Sequence, residues 1–143
     1  MANQNISRLK GRHKKRDICV FSTEIEYDEI LTAADVYQLA QLPPECIVLS
    51  ATVLPTVQNN AGTSASFDLG WAGGAELIDD GDLKTAAGTA IVSSTVPLHL
   101  PTGATLTIVP TYGGTAPTAG KMFVYVEYLE YEQCTGELTN FVA

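Results

Sequence analysis

Apolar and polar residues alternate with a period of two along much of this chain, and that alternation predicts strands. Ile18-Cys19-Val20-Phe21 is a short apolar run, and Glu24-Ile25-Glu26-Tyr27 alternates as a half-buried strand does. Val36-Tyr37-Gln38-Leu39-Ala40 follows, with apolar Val36 and Leu39 around polar Gln38. Leu42-Pro43-Pro44-Glu45 reads as a stiff, extended connector, because each proline fixes its own φ and restricts the residue before it. The strongest strand signal is Cys46 to Val57 (CIVLSATVLPTV), rich in β-branched side chains. Pro55 near its end fits an edge or a bulge. Ser64 to Trp71 places Phe67, Leu69 and Trp71 on one face and Ser66, Asp68 and Gly70 on the other.

Between these runs lie turn signals. Gln58-Asn59-Asn60-Ala61-Gly62 has asparagines and a glycine suited to positive φ. Residues 72–90 are irregular: Gly70–Gly74 (GWAGG) reads as a turn, Ala75–Ile78 as a helical turn, and Asp82–Ala87 as a second one. Strand signals resume at Ile91-Val92, Val96–Leu100 and Thr105–Val109, and Gly113–Pro117 is a loop. Met122 to Tyr131 (MFVYVEYLEY) then alternates, with Tyr125, Glu127 and Leu129 on one face and Val124, Val126 and Tyr128 on the other. Roughly eight short strands with almost no helix predict an all-β fold, an antiparallel β-sandwich of jelly-roll type. A doubly wound α/β fold would need helical periods between the strands, and these are missing.

Composition supports one globular domain: 143 residues, 45% hydrophobic and 17% charged. No apolar run approaches the roughly 20 residues of a membrane-spanning helix. Charge divides the chain. Arg8, Lys10, Arg12, Lys14, Lys15 and Arg16 precede every acid, so residues 1–16 carry +6, whereas residues 17–143 set Lys84 and Lys121 against 16 acids, a net −14. The expectation is a flexible basic N-terminal arm (1–16) on an acidic body (17–143). The start of the chain lacks the apolar core of a secretory signal. With Cys19, Cys46 and Cys134 widely spaced, reduced thiols inside a cell are expected, Cys46 buried; a Cys19–Cys134 bridge is the alternative.

Candidate chemistry is sparse. His13 lies in the arm, and His99 between Leu98 and Leu100 reads as a sheet residue without a partner for base catalysis. No nucleophile elbow, phosphate loop, zinc motif or dinucleotide fingerprint occurs, so neither an enzyme nor a cofactor is expected. Asp79-Asp80-Gly81-Asp82 offers oxygen ligands for Ca²⁺, but the solvated turn is the favoured reading, with Asp82 capping the next turn. Trp71 is read as core in preference to a sugar platform. Glu127, Glu130 and Glu132 among Tyr125, Tyr128 and Tyr131 suggest a solvated face or an interface, and the three tyrosines are the self-association candidates. The arm admits two readings, nucleic-acid phosphates or an acidic protein surface. With no interleaved aromatic residue and a strongly acidic body, the protein surface is favoured.

The run Ala34–Pro44 (ADVYQLAQLPP) entering Cys46–Leu54, then Phe67–Trp71 (FDLGW), Ala75–Leu83 (AELIDDGDL) and Val124–Tyr128 (VYVEY), resembles small virion structural proteins of tailed bacteriophages. In that family the Ala75–Leu83 segment corresponds to a short helical excursion. The resemblance implies a jelly-roll-like head decoration, or cement, protein on the capsid surface. It implies the major capsid protein as partner, a dimer or trimer, synthesis in the host cytoplasm, and no catalysis, membrane or small-molecule substrate. Arg8, Lys10, Arg12, Lys14, Lys15 and Arg16 are then the candidate capsid contacts. Alternatives are another virion module (head–tail connector, tail or receptor-binding fibre) and a DNA-binding accessory acting through the arm.

Overall fold

The computed structural model describes residues 18–130. Its strands are β1 (Cys19–Glu26), β2 (Tyr37–Leu42), β3 (Cys46–Val57), β4 (Ser64–Trp71), β5 (Ile78–Asp82), β6 (Ile91–Val92), β7 (Leu98–Leu100), β8 (Ala104–Gly113) and β9 (Lys121–Glu130). A single turn of 3-10 helix, Tyr27–Ile30, follows β1. The strands form two antiparallel sheets. One has the order β1-β9-β3-β6, with β7 also on β3; the other has the order β2-β8-β4-β5. Counted as one interrupted strand, β6 and β7 complete two four-stranded sheets in jelly-roll order. The all-β sandwich expected from the period-two pattern is what the chain forms.

The core lies between the sheets. Cys46, Val48, Ala51 and Val53 of β3 and Met122, Val124 and Val126 of β9 are buried on one side, and Phe67, Leu69, Leu106 and Ile108 on the other. Each such side chain removed from water contributes about 1.5–3 kcal/mol. Alternate residues on the same strands stay at the surface, as with exposed Tyr125 and Glu127 beside buried Val124 and Val126. Pro55 is tolerated because the β3 register shifts between Pro55 and Val57, next to the end of the ladder.

Two expectations for the connecting segments change. Neither helical turn forms in residues 72–90; Ile78–Asp82 is a strand beside β4. Gly81 faces Phe67 and Ile78 faces Leu69, so three steps of β5 match two of β4. The extra residue is a bulge, and Asp80 has φ 50°. It spaces the buried residues Ile78 and Gly81 three apart, a helix-like interval. Asp82 caps no helix; its carboxylate accepts the Lys84 backbone N–H at 2.8 Å in an Asx turn. The second change concerns Asn59, Asn60 and Gly62, which do not adopt positive φ. Asn60 Oδ1 instead accepts the Thr118 and Ala119 N–H groups at 2.8 and 2.9 Å, pinning two loops together.

Two tyrosines hold the β1–β2 connection. Tyr112 donates its hydroxyl to the Ile30 carbonyl at 2.9 Å, and the Tyr37 hydroxyl accepts the Thr32 N–H at 3.1 Å. Burial, with Tyr37 nearby as the lesser cause, pushes the Tyr112 phenol up to about 12.

Phe67→Ala is expected to cost about 3–5 kcal/mol in urea unfolding, whereas Val92→Ala, at a position 62% exposed, should stay within about 0.5 kcal/mol. The Tyr112 phenol is raised in the folded state, so its contribution is complete below the unfolded value of about 10 and is lost as pH climbs towards 12. Urea midpoints measured across that window should therefore fall less steeply for Tyr112→Phe than for the parent protein.

Candidate functional site

With one face of each sheet committed to the core, the opposite faces and the sheet edges are what the body presents to partners. On the β1-β9-β3 sheet the register builds outward rows. Val20 lies beside Glu127, Ser22 beside Tyr125 and Thr52, and Glu24 beside Phe123 and Leu54. Val92 continues the Thr52 row, and Leu129 and His99 flank Ile47. Ile18, Val20 and Val92 are each more than half exposed, and Tyr125 is 38% exposed. The Phe123 and Tyr125 rings lie 6.0 Å apart, tilted by 33°. Lys121 at the end of this face forms ion pairs with Glu24 and Glu26, and the Glu24 hydrogen bond is the main cause that holds its ammonium pKa above the ordinary value.

The outer face of the second sheet differs in chemistry. Its cross-strand pairs are Gln41–Thr105, Asp68–Val109 and Ser66–Thr111, while Thr107, opposite Gln38, is buried. Thr105 donates to Gln41 Oε1 at 2.7 Å, and Thr107 Oγ1 accepts the Gly73 N–H at 2.8 Å. One outer face therefore interleaves apolar side chains with carboxylates and hydroxyls, and the other is dominated by hydroxyls and amides.

The residues singled out in the sequence are distributed as follows. Tyr125 points outward, whereas Tyr128 is half-buried and packs against the core. Burial is the main cause that pushes the Tyr128 phenol up, with Cys19, its cross-strand neighbour, contributing. The two rings thus belong to opposite faces and form no common surface. Tyr131, Cys134 and the basic residues Arg8, Lys10, Arg12, Lys14, Lys15 and Arg16 lie outside the described residues, as does the Cys19–Cys134 bridge. Cys46 is fully buried, and desolvation, ahead of the Glu130 charge, raises its thiol pKa, the setting of an inert cysteine. Trp71 packs against the core, and His99 is an exposed sheet residue. The GWAGG segment is a turn: Ala72 and Gly73 take φ of 50° and 86°, and the Gly74 N–H meets the Trp71 carbonyl at 2.8 Å.

The acidic cluster is not the one that sequence order suggests. Asp79 and Asp80 are joined by Asp68 from the neighbouring β4, with carboxylate oxygens all within 4.8 Å of one another. Asp82 is occupied by its own turn. Asp68 Oδ1 also accepts the Asp80 N–H at 2.9 Å, which holds the bulge in place. Three oxygen ligands of this kind match calcium chemistry in type, but the cluster is exposed at the sheet edge and half its geometry serves the backbone. Beside it a cleft of about 460 Å³ runs between β5 and residues 89–95, lined by the apolar Leu77, Ile78, Ile91 and Val92 together with small, hydroxyl and acidic side chains. No histidine or cysteine is among the residues lining it.

No family model matches the chain, and no curated protein matches its sequence. The fold has counterparts among solved structures. It is similar to a chain of the cyanophage Pam1 capsid asymmetric unit, with a TM-score of 0.64 and 20% identity over 85% of this chain and 90% of that one. A chain from the capsid of Ralstonia phage GP4 gives 0.57 and 16%, covering 82% and 86% of the two chains. One from the acidic stable capsid of Helicobacter pylori bacteriophage KHP30 gives 0.58 and 12%, covering 78% and 86%. At these identities the matches establish a shared sandwich spanning most of both chains.

Mutual repulsion among Asp68, Asp79 and Asp80 makes a direct prediction. Asp79→Asn should stabilise the protein by about 0.2–0.5 kcal/mol at low salt, and thermal melts in about 1 M NaCl should lose that gain.

Proposed function

We propose that this protein is a non-enzymatic phage capsid decoration, or cement, protein that binds the outside of the assembled head and stabilises contacts between major capsid subunits. The observation that carries the reading is the match to a phage capsid chain over 85% of this chain and 90% of that one. The shared unit is nearly the whole of both chains, so the sandwich itself is the part that the capsid context employs. The body supports the same reading: what it offers to partners is broad sheet faces and edges.

A clamp of this kind acts by mass action. A protein that binds the assembled state and not the separate subunits stabilises the assembly by an amount that grows with the logarithm of its free concentration relative to its Kd. The basic residues Arg8, Lys10, Arg12, Lys14, Lys15 and Arg16 supply a second, tethered contact at high effective concentration, which multiplies affinity without enlarging the body's own footprint.

Co-sedimentation with mature shells stripped of this protein tests the proposal. The full chain should bind saturably at a fixed ratio to the shell protein, and a 17–143 truncation should bind about tenfold or more weakly. Equal binding by the truncation would remove the arm from the interface. No binding by either form would overturn the decoration reading and point to the tail or to DNA.

A further inference from the structure

β1 and β2 are edge strands of different sheets, and residues 27–36 carry the chain from one to the other. Ile30 is the one buried side chain of this connection. It is 2% exposed, whereas residues 31–36 are all exposed, Leu31 and Val36 by 44% and 52%. Ile30 lines a small cavity at the seam of the sandwich with Ile25, Pro55, Leu83 and Met122.

Apart from that wedge, hydrogen bonds hold the connection in place. Tyr112 of β8 donates its hydroxyl to the Ile30 carbonyl at 2.9 Å. The Tyr37 hydroxyl, at the start of β2, accepts the Thr32 N–H at 3.1 Å and donates to the Thr32 carbonyl at 3.4 Å. The Ala34 N–H donates to the Pro110 carbonyl at 2.8 Å, and the Tyr27 N–H to the Gly120 carbonyl at 3.0 Å. From Ile30 onward every one of these partners comes from the second sheet. The connection is thus a covalent continuation of one sheet that is fastened to the other.

The segment is also strained. Ala34 has φ 64°, a left-handed conformation in which an L side chain crowds its own backbone. The strands on either side stand in contrast. β1 pairs with β9 along its whole length, and β8 is paired on both sides, by β2 and by β4. Few buried apolar contacts and exposed backbone hydrogen bonds mark the segments that open before the elements they join.

We propose that residues 28–36 form a latched strap that opens and recloses as a unit while both sheets stay folded, with the Tyr112 and Tyr37 hydroxyls as its latches. Opening withdraws Ile30 and uncovers the apolar seam at Ile25 and Met122, so the strap governs access to the sandwich interior at this side. Tyr112 acts from a strand held on both flanks, so its hydroxyl stays in position to recapture the Ile30 carbonyl when the strap closes. The device belongs to the isolated chain and does not depend on binding to a shell.

Native-state hydrogen exchange of the full chain, read residue by residue by NMR, tests it. The Thr32 and Ala34 amides should share one opening constant, about tenfold or more above that of the β3–β9 ladder amides and with a much weaker dependence on urea. Tyr112→Phe should raise that constant about tenfold at both amides alike, because the Ile30 carbonyl loses its partner. Val124→Ala should raise ladder opening about tenfold or more and leave strap opening unchanged, because Val124 is equally buried with the strap open or closed. Strap amides that follow the ladder amides in urea dependence, or in their response to Val124→Ala, would show that the segment opens only with the whole molecule and would overturn the proposal. So would Thr32 and Ala34 amides that respond differently to Tyr112→Phe, since the segment would then not move as a unit.

Discussion

Ten residues of β3 face β9 across an antiparallel ladder, and the rest of the molecule hangs on that pairing. It joins residues 46–57 to residues 121–130, so it closes a long loop before any of its contacts can form. Val48, Ala51 and Val53 on one strand and Val124 and Val126 on the other give it a dry inner face. β1 attaches to the free side of β9, and β6 and β7 attach to β3. The second sheet then has an apolar layer to cover, and Phe67, Leu69, Leu106 and Ile108 supply the cover.

The jelly-roll path makes the two sheets depend on each other. β1, β2, β3 and β4 fall alternately in one sheet and the other, so no run of consecutive strands completes a sheet alone. A body built this way has little interior room for a cavity and much regular surface. Its two outer faces differ, one mixing Val20, Phe123, Tyr125 and Leu54 with Glu24, Glu127, Ser22 and Thr52, the other lined mostly by threonine, glutamine and serine. Such a molecule is equipped to sit between neighbours in different orientations, which is the task proposed for it on a capsid.

Legibility in the sequence followed periodicity. Cys46–Val57 and Ser64–Trp71 are read with the boundaries that the structure has, because β-branched residues and strict alternation both point the same way. β5 was misread because its bulge at Asp80 spaces Ile78 and Gly81 three apart, and a single inserted residue turns a strand's period into one that resembles a helix. The asparagines at 59 and 60 marked a loop, but they work through side-chain hydrogen bonds to Thr118 and Ala119, residues far along the chain. Beyond glycines, positive φ fell on Ala34, Glu45, Ala72 and Asp80, among which alanine and glutamate give no local signal for it.

The sequence by itself determined the fold class, the two faces of Ser64–Trp71 and Met122–Tyr131, the burial of Cys46 and the division of charge between residues 1–16 and the body. These are local properties: side-chain period, branching and charge are written residue by residue. Only the tertiary structure decided which strands are neighbours, and with that everything that depends on adjacency. It brought Asp68 to Asp79 and Asp80, and left β1 at an edge while enclosing β3 and β9. Strand order is set by which apolar faces fit together when all of them are buried at once, and no single segment carries that information.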